Sequence, residues 1–150
     1  MARHVFFSFQ FSEDNSRAEV VRNSWVTKRT QTAAGFFDRD TREELKRQSS
    51  SIIKKWIRAS LKGTSVTAVL VGSKTCDSRW VKFEIEESKK RGNGLLEIDI
   101  SKIKNFEGKT SRFCGWVLPD DYAGYGWNKH NGHDNFGDWV EKAYRQANPE

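Results

Sequence analysis

Short apolar runs alternate along this chain with longer amphipathic stretches, the pattern of strands interleaved with helices. The run His4 to Phe9 predicts a first strand. A helix from about Ser16 to Lys28 follows, with Val20, Val21, Ser24 and Trp25 near one face. Ala33 to Phe37 is the expected second strand. Thr41-x-x-Glu44 is a capping-box pattern that opens a long helical region ending near Leu61, before Gly63, with an irregular break at Ser49, Ser50 and Ser51. Val66 to Val71 predicts a third, fully buried strand. The next helix lies between an N-cap at Ser78 and a C-cap glycine at Gly92, and Leu95 to Ile100 forms a fourth strand. Phe113 to Leu118 is the candidate fifth strand, and Asp120 to Asp134 a glycine-rich loop. Phe136, Trp139, Val140, Ala143 and Tyr144 recur at i, i+3, i+4, i+7 and i+8, which predicts a last helix capped by Asn135.

Alternating strands and helices imply an α/β sandwich of three layers around a mainly parallel sheet of about five strands. No repeat or linker divides the chain, so residues 1–150 are expected to form one domain. A hydrophobic content of 36% is enough for a real core, yet the longest apolar run, Val66 to Val71, is far below the ~20 residues that span a bilayer. Val5 to Phe11 is too short, and too broken by Ser8 and Gln10, to be a secretory signal. The expectation is a cytoplasmic protein without a membrane partner. Twenty-six Lys and Arg against 20 Asp and Glu give +6, which favours anionic partners. The basic residues are scattered, however, as on a solvated face, and nucleic acid is not the expected partner.

Several groups yield less than they first suggest. Cys76 and Cys114 give neither a disulfide framework nor metal spacing, and Cys76 reads as a small buried thiol. His130 and His133 stand beside Asp134 without further clustered ligands, so a polar loop is the reading there and no metal is expected. Gly124-Tyr125-Gly126 has no predicted strand-to-helix context and is not read as a phosphate cradle. His4 is read as structural, and Trp56, Trp116, Trp127 and Trp139 as core residues.

The candidate chemistry gathers on the Ser78–Gly92 helix. It carries three carboxylates: Glu86 has Lys90 four residues on and Glu87 has Arg91, both in the favourable order. Glu84 has Ser88 ahead and Trp80 behind, with Phe83 beside it, and so lacks a helical charge partner. A carboxylate among aromatics is costly to desolvate unless a site uses it. In parallel sheets ligands sit at the carboxyl ends of strands. Those ends offer Ser8, Phe9 and Gln10 after strand one, Asp38 and Arg39 after strand two, and Ser73 and Thr75 after strand three, with Trp80 and Glu84 on the adjoining helix. Hydroxyls, an amide and aromatic faces suit a nucleoside. One carboxylate suits departure of a group from a ribose anomeric carbon, where an oxocarbenium-like transition state forms.

The strand Val66–Val71, the loop Gly72-Ser73-Lys74-Thr75-Cys76-Asp77 and the Trp80-x-x-x-Glu84 helix resemble the corresponding strand, loop and helix of TIR domains. Val5-Phe6-Phe7-Ser8-Phe9 is similar to the first-strand box of that family, and Gly35-Phe36-Phe37-Asp38 is placed like its second strand and acidic loop residue. Ile52, Trp56, Ile57 and Ser60 match the next helix. Within the family, Val20 to Thr27, Arg91 to Leu96, Tyr125-Gly126-Trp127 and Asn135 to Glu141 resemble the single-domain ThsB proteins of Thoeris anti-phage defence. This resemblance implies a flavodoxin-like TIR fold and an enzyme that cleaves the nicotinamide–ribose bond of NAD+, with Glu84 as the catalytic carboxylate. NAD+ would be substrate, with no bound cofactor. Trp80 and Phe9 would wall the site, while Ser8, Ser73 and Arg39 would contact phosphate or ribose. Limited water access would favour a cyclic ADP-ribose isomer, a diffusible signal to a downstream effector. Self-association and a phage-derived trigger are the routes of activation this implies.

Other α/β readings fail on single features. A G-x-G-x-x-G after strand one is absent, which excludes a Rossmann dehydrogenase, and Ser8-Phe9-Gln10 cannot replace the acidic residues of a response-regulator receiver. The remaining alternative is a non-catalytic TIR-like interaction module.

Overall fold

The computed structural model describes residues 3–26, 32–35 and 47–149. In chain order its elements are β1 (His4–Ser8), α1 (Phe11–Val26), β2 (Thr32–Ala34), α2 (Ser50–Leu61), β3 (Val66–Val71), a 3-10 turn (Thr75–Asp77), α3 (Arg79–Arg91), β4 (Gly94–Asp99), β5 (Ala123–Gly126) and α4 (Gly132–Ala147). The strands form one sheet in the order β2-β1-β3-β4-β5, and every pairing is parallel. The order reverses between β1 and β3, which makes the carboxyl ends of those two strands the natural crevice for a ligand.

Strand alternation sorts the side chains into two cores. Val5, Phe7 and Phe9 of the first strand run, with Val66, Ala68 and Leu70 of β3 and Leu96 and Ile98 of β4, pack against Ala18, Val21 and Trp25 of α1 and Phe136, Trp139, Val140 and Ala143 of α4. On the opposite face Phe6 meets Ile57 and Leu61 of α2. There Val69, Val71 and Leu95 meet Val81 and Ile85 of α3. Thr67, on this second face, shares a 2.7 Å hydrogen bond with Ser88 of α3. The three-layer α/β architecture expected from the alternating pattern is the one observed.

The fifth strand lies at Ala123–Gly126 rather than Phe113–Leu118. The earlier segment is apolar because Phe113, Cys114, Val117, Leu118 and Tyr122 cover the second face where a crossover helix would otherwise pack. Its backbone is satisfied by a side chain instead of a neighbouring strand: Val117 N and Leu118 N donate to Glu97 Oε1 at 2.7 and 3.1 Å. Gly124-Tyr125-Gly126 therefore does have a strand-to-helix context, as β5 itself leading to α4.

Other boundaries move for local reasons. Helix α1 begins at Phe11, ahead of the expected Ser16, because Gln10 acts as its cap: its Oε1 accepts from Ser12 Oγ at 2.9 Å and Glu13 N at 3.0 Å. Val20 falls on the outer side, 42% exposed, while Val21, Ser24 and Trp25 are buried. Ser49 precedes α2, in keeping with the predicted break. Thr27, Lys28, Phe36, Phe37, Thr41 and Glu44 lie outside the described residues. Ser78 caps α3 by accepting from Val81 N, and Gly92 ends it at φ 78°. Helix α4 starts at Gly132 after Asn131, not at Asn135, whose side chain instead donates to the carbonyls of His130 and Asn131 at 3.0 Å. Trp127 and Trp139 are core as expected, but Trp56 and Trp116 are 42% and 49% exposed. Cys76 and Cys114, read as unpaired, are joined in a disulfide. Their pairing is a tertiary consequence, since 38 residues separate them in sequence.

One buried arginine, paired within α1, fastens that helix to the chain beyond β4. Arg17 and Asp14 are both buried, with Nη1–Oδ1 at 3.1 Å, and Arg17 also donates to the carbonyls of Ile103 at 2.7 Å and Lys109 at 2.9 Å. Burial pushes the Asp14 carboxyl up from its ordinary value, and Arg17 opposes that shift. Removing one member of a buried pair strands the other charge, at a cost of about 3–5 kcal/mol. Arg17→Met is expected to lower the urea midpoint accordingly at pH 7. The penalty should shrink near pH 4, where a stranded Asp14 takes up a proton. An equal penalty at both pH values would contradict this account.

Candidate active site

The site is set by the parity of β1. Phe7 and Phe9 face α1 and α4, so Phe6 and Ser8 face α2 and α3. Ser8, fully buried at the carboxyl end of β1, donates its hydroxyl to Glu84 Oε1 at 2.6 Å. Glu84 sits one helical turn after Trp80 on the inner side of α3, half-buried. Ser88, a turn further on, donates to the Glu84 carbonyl at 2.7 Å and ties that stretch of helix to Thr67 of β3. The carboxylate is thus held at the β1–β3 reversal by a strand hydroxyl beneath it.

Trp80 is half-buried, with its ring edge-on to Phe83 at 6.0 Å and the Arg79 guanidinium 4.6 Å over it. Both rings pack against the Phe6, Ile57 and Leu61 cluster. Lys54 and Arg58 of α2 lie 5.4 and 5.3 Å from the Phe83 ring, so this flank combines aromatic faces with positive charge. Glu87, expected to pair with Arg91, instead pairs with Arg58 across to α2 and with Lys90 at 3.2 Å. The Arg58 hydrogen bond holds its carboxyl below the usual range. Glu86 meets Lys89, at 4.0 Å, not Lys90. Each pairing uses i+3 in place of i+4, and the neighbouring helix takes the inner carboxylate.

The remaining candidates divide. Ser73 is half-buried in the turn after β3, and its hydroxyl makes no hydrogen bond among the described residues. Thr75 is buried and structural, accepting from Gly72 N at 2.8 Å to close that turn. Phe9 points to the opposite core, beside Phe11 at 6.5 Å, and Gln10 spends its carbonyl on capping α1. The structure therefore brings together Ser8, Glu84 and Trp80, with Ser73 at the adjoining strand end, and assigns Phe9 and Gln10 to packing and capping. Asp38 and Arg39 lie outside the described residues.

A rim unseen in the sequence borders this crevice. The segment 101–118 crosses the carboxyl ends of the strands from the α1 face to the α3 face. Arg17 holds it at Ile103 and Lys109. Cys114 N donates to Gly72 O at 3.0 Å and its sulfur is bonded to Cys76. Glu97 then takes Val117 N and Leu118 N. Gly72 has no room for a side chain, because a Cβ there would stand 2.2 Å from Asp14 Oδ2. The signals for this rim were Arg17 and Glu97, polar residues within apolar patterns, but their partners are distant in sequence.

Residues 6–105 match the family model for the Thoeris protein ThsB, TIR-like domain. A protein of Bacillus cereus (strain MSX-D12) named "Putative cyclic ADP-D-ribose synthase ThsB1" is 39% identical over 141 residues, covering 93% of this chain and 72% of its own length. This chain belongs to the ThsB family of TIR-like proteins. Its ThsB fold places Glu84 beside the first-strand serine. No group of three or more His, Cys, Asp or Glu among the described residues is arranged to hold a metal, and none of their helices is long and apolar enough to cross a membrane.

Glu97 gives the rim a pH signature. Burial pushes its carboxyl up from the ordinary value, against the two N–H donors. The native state then binds more protons than the unfolded chain between those two values, and stability falls as pH rises through that window. Glu97→Gln keeps an acceptor for Val117 N and Leu118 N and removes the ionisation. The melting temperature of this variant relative to wild type is expected to rise from pH 4 to pH 7, and a pH-independent difference would exclude the explanation.

Proposed function

We propose that this ThsB protein consumes NAD+, cleaving the nicotinamide–ribose bond and closing the remaining ADP-ribose into a cyclic nucleotide that signals to an effector in anti-phage defence. The observation that carries this reading is the half-buried Glu84 carboxylate oriented by the Ser8 hydroxyl at 2.6 Å, at the strand reversal where an α/β sheet receives ligands. The named activity of the Bacillus cereus relative supports it.

In this reading the C1′–N bond breaks with its electron pair leaving on nicotinamide, a neutral base that needs no acid. Glu84 steadies the positive charge developing at C1′ and accepts from the ribose hydroxyls. Ser8 fixes the carboxylate rotamer, so little reorganisation is needed when the charge appears. Trp80 and Phe83 restrict water, which leaves a nucleophilic atom of the same molecule to bond to C1′ and release its proton. Ser73 offers a hydroxyl toward phosphate or ribose. Asp38 and Arg39 are proposed as further substrate contacts, and the cytoplasm as the place of action. A buried hydroxyl devoted to one carboxylate favours this reading over a non-catalytic interaction module.

Purified protein incubated with NAD+, with and without lysate of phage-infected cells, tests it by chromatography of nicotinamide and nucleotide products. Glu84→Gln is expected to lower nicotinamide release by about 10²–10³-fold or more, the scale for removing preorganised charge stabilisation. Ser8→Ala should cost less, on the order of 10-fold, since a hydrogen bond to a charged group is worth about 1.5–3 kcal/mol. Nicotinamide release undiminished in Glu84→Gln would overturn the assignment.

A further inference from the structure

A second cavity, of about 300 Å³, opens at the carboxyl ends of β4 and β5, two strands away from β1. It is lined by Asp99, Lys102, Trp116, Trp127, Lys129 and His130, among others. None of these belongs to the Ser8–Glu84 site. Its volume is at the lower end of small-molecule pockets.

Trp116 is the least expected member. It is 49% exposed, yet its position is fixed on two sides. Its six-membered ring lies on Gly124, where a Cβ would come within 3.2 Å of three ring carbons, and Phe113 meets it edge-on at 4.9 Å. A side chain at position 124 would lift the indole away. A half-exposed ring held rigid is a stacking surface that a planar base can use at little entropic cost.

The polar groups around it are complementary to a nucleoside phosphate. Lys102 and Lys129 are exposed, and neither is ion-paired among the described residues. His130 Nδ1 accepts from Gly126 N at 2.8 Å, so in the neutral ring Nε2 carries the proton and serves as a donor. Asp99 Oδ1 is fixed by Ser101 N at 2.8 Å and Ser101 Oγ at 2.6 Å, which leaves Oδ2 as an acceptor for a ribose hydroxyl. Two cations, one imidazole donor, one acceptor and one aromatic face share a single cavity.

We infer that this cavity is a second ligand site, for a free mononucleotide whose base stacks on Trp116 and whose phosphate is held by Lys102 and Lys129. Adenosine monophosphate is the probe, titrated by calorimetry into the Glu84→Gln protein so that no turnover contributes heat. AMP is expected to bind, with adenosine and inorganic phosphate each at least about 10-fold weaker, since each lacks one half of the recognition. Lys129→Ala and Trp116→Ala should each weaken AMP by about 10-fold or more, while Trp116→Phe retains most of the affinity because a π-face remains. Lys129 is exposed, so its variant tests the proposal even if the Trp116→Ala protein fails to fold. Absence of AMP binding at about 10 mM, where a Kd corresponds to only ~2.7 kcal/mol, would overturn the site. So would binding that survives Lys129→Ala and is lost in Trp80→Ala, which would place AMP in the Glu84 crevice. Loss of NAD+ cleavage in Glu84→Gln bears on the first site alone, so the two proposals fail separately.

Discussion

Two-residue periodicity along β1 is the constraint on which the candidate site depends. Phe7 must enter the core against α1 and α4, where it meets Phe136 at 5.9 Å, and Phe6 must enter the core against α2. With those faces fixed, Ser8 has no choice but to face α3, and the hydroxyl arrives under Glu84. A slip of one residue would exchange the two sets, burying the hydroxyl among the aromatic rings of the other layer and turning Phe7 toward the carboxylate. Packing energy spread over both cores thus enforces one hydrogen bond between polar groups that could not hold themselves there alone.

The helix that supplies the carboxylate is fixed with similar economy. Ser78 and Gly92 define its ends, Val81 and Ile85 its buried stripe, and Ser88 with Thr67 its height along β3. Glu87 joins α3 to α2 through Arg58, so the helix is braced from the side as well as from the sheet. Glu84 answers to a strand hydroxyl, while Glu86 and Glu87 meet Lys89 and Lys90 on their own helix. The difference follows from its angular position on α3, which points it to the strand reversal.

Much of this was legible in the sequence wherever local chemistry decides. Capping at Ser78 and Gly92, the apolar strand Val66–Val71, the stripe on the last helix and the spacing from Trp80 to Glu84 all carry their own signal. What the sequence concealed depends on contacts remote along the chain. Phe113–Leu118 has the composition of a strand, but its backbone donors go to a carboxylate on β4. The resemblance to TIR domains makes Phe9 a wall of the site, but adjacent strand residues face opposite ways and Phe9 packs into the core with α1 and α4. Ala123–Gly126 was hidden by its small residues, of which Gly124 leaves room for the Trp116 ring. The cysteine pair and the Arg17 anchor depend on the same long crossing between β4 and β5.

That crossing is fastened at three places by unlike chemistry: two carbonyl contacts at Arg17, a sulfur–sulfur bond at Cys114, and a carboxylate cradling two amides at Glu97. Rising pH works against Glu97 and reductant against the sulfur–sulfur bond, and neither touches the carbonyl contacts of Arg17. No single solvent change unlatches the whole span, so the border of the crevice keeps its outline across conditions that would loosen a loop secured by only one kind of tie.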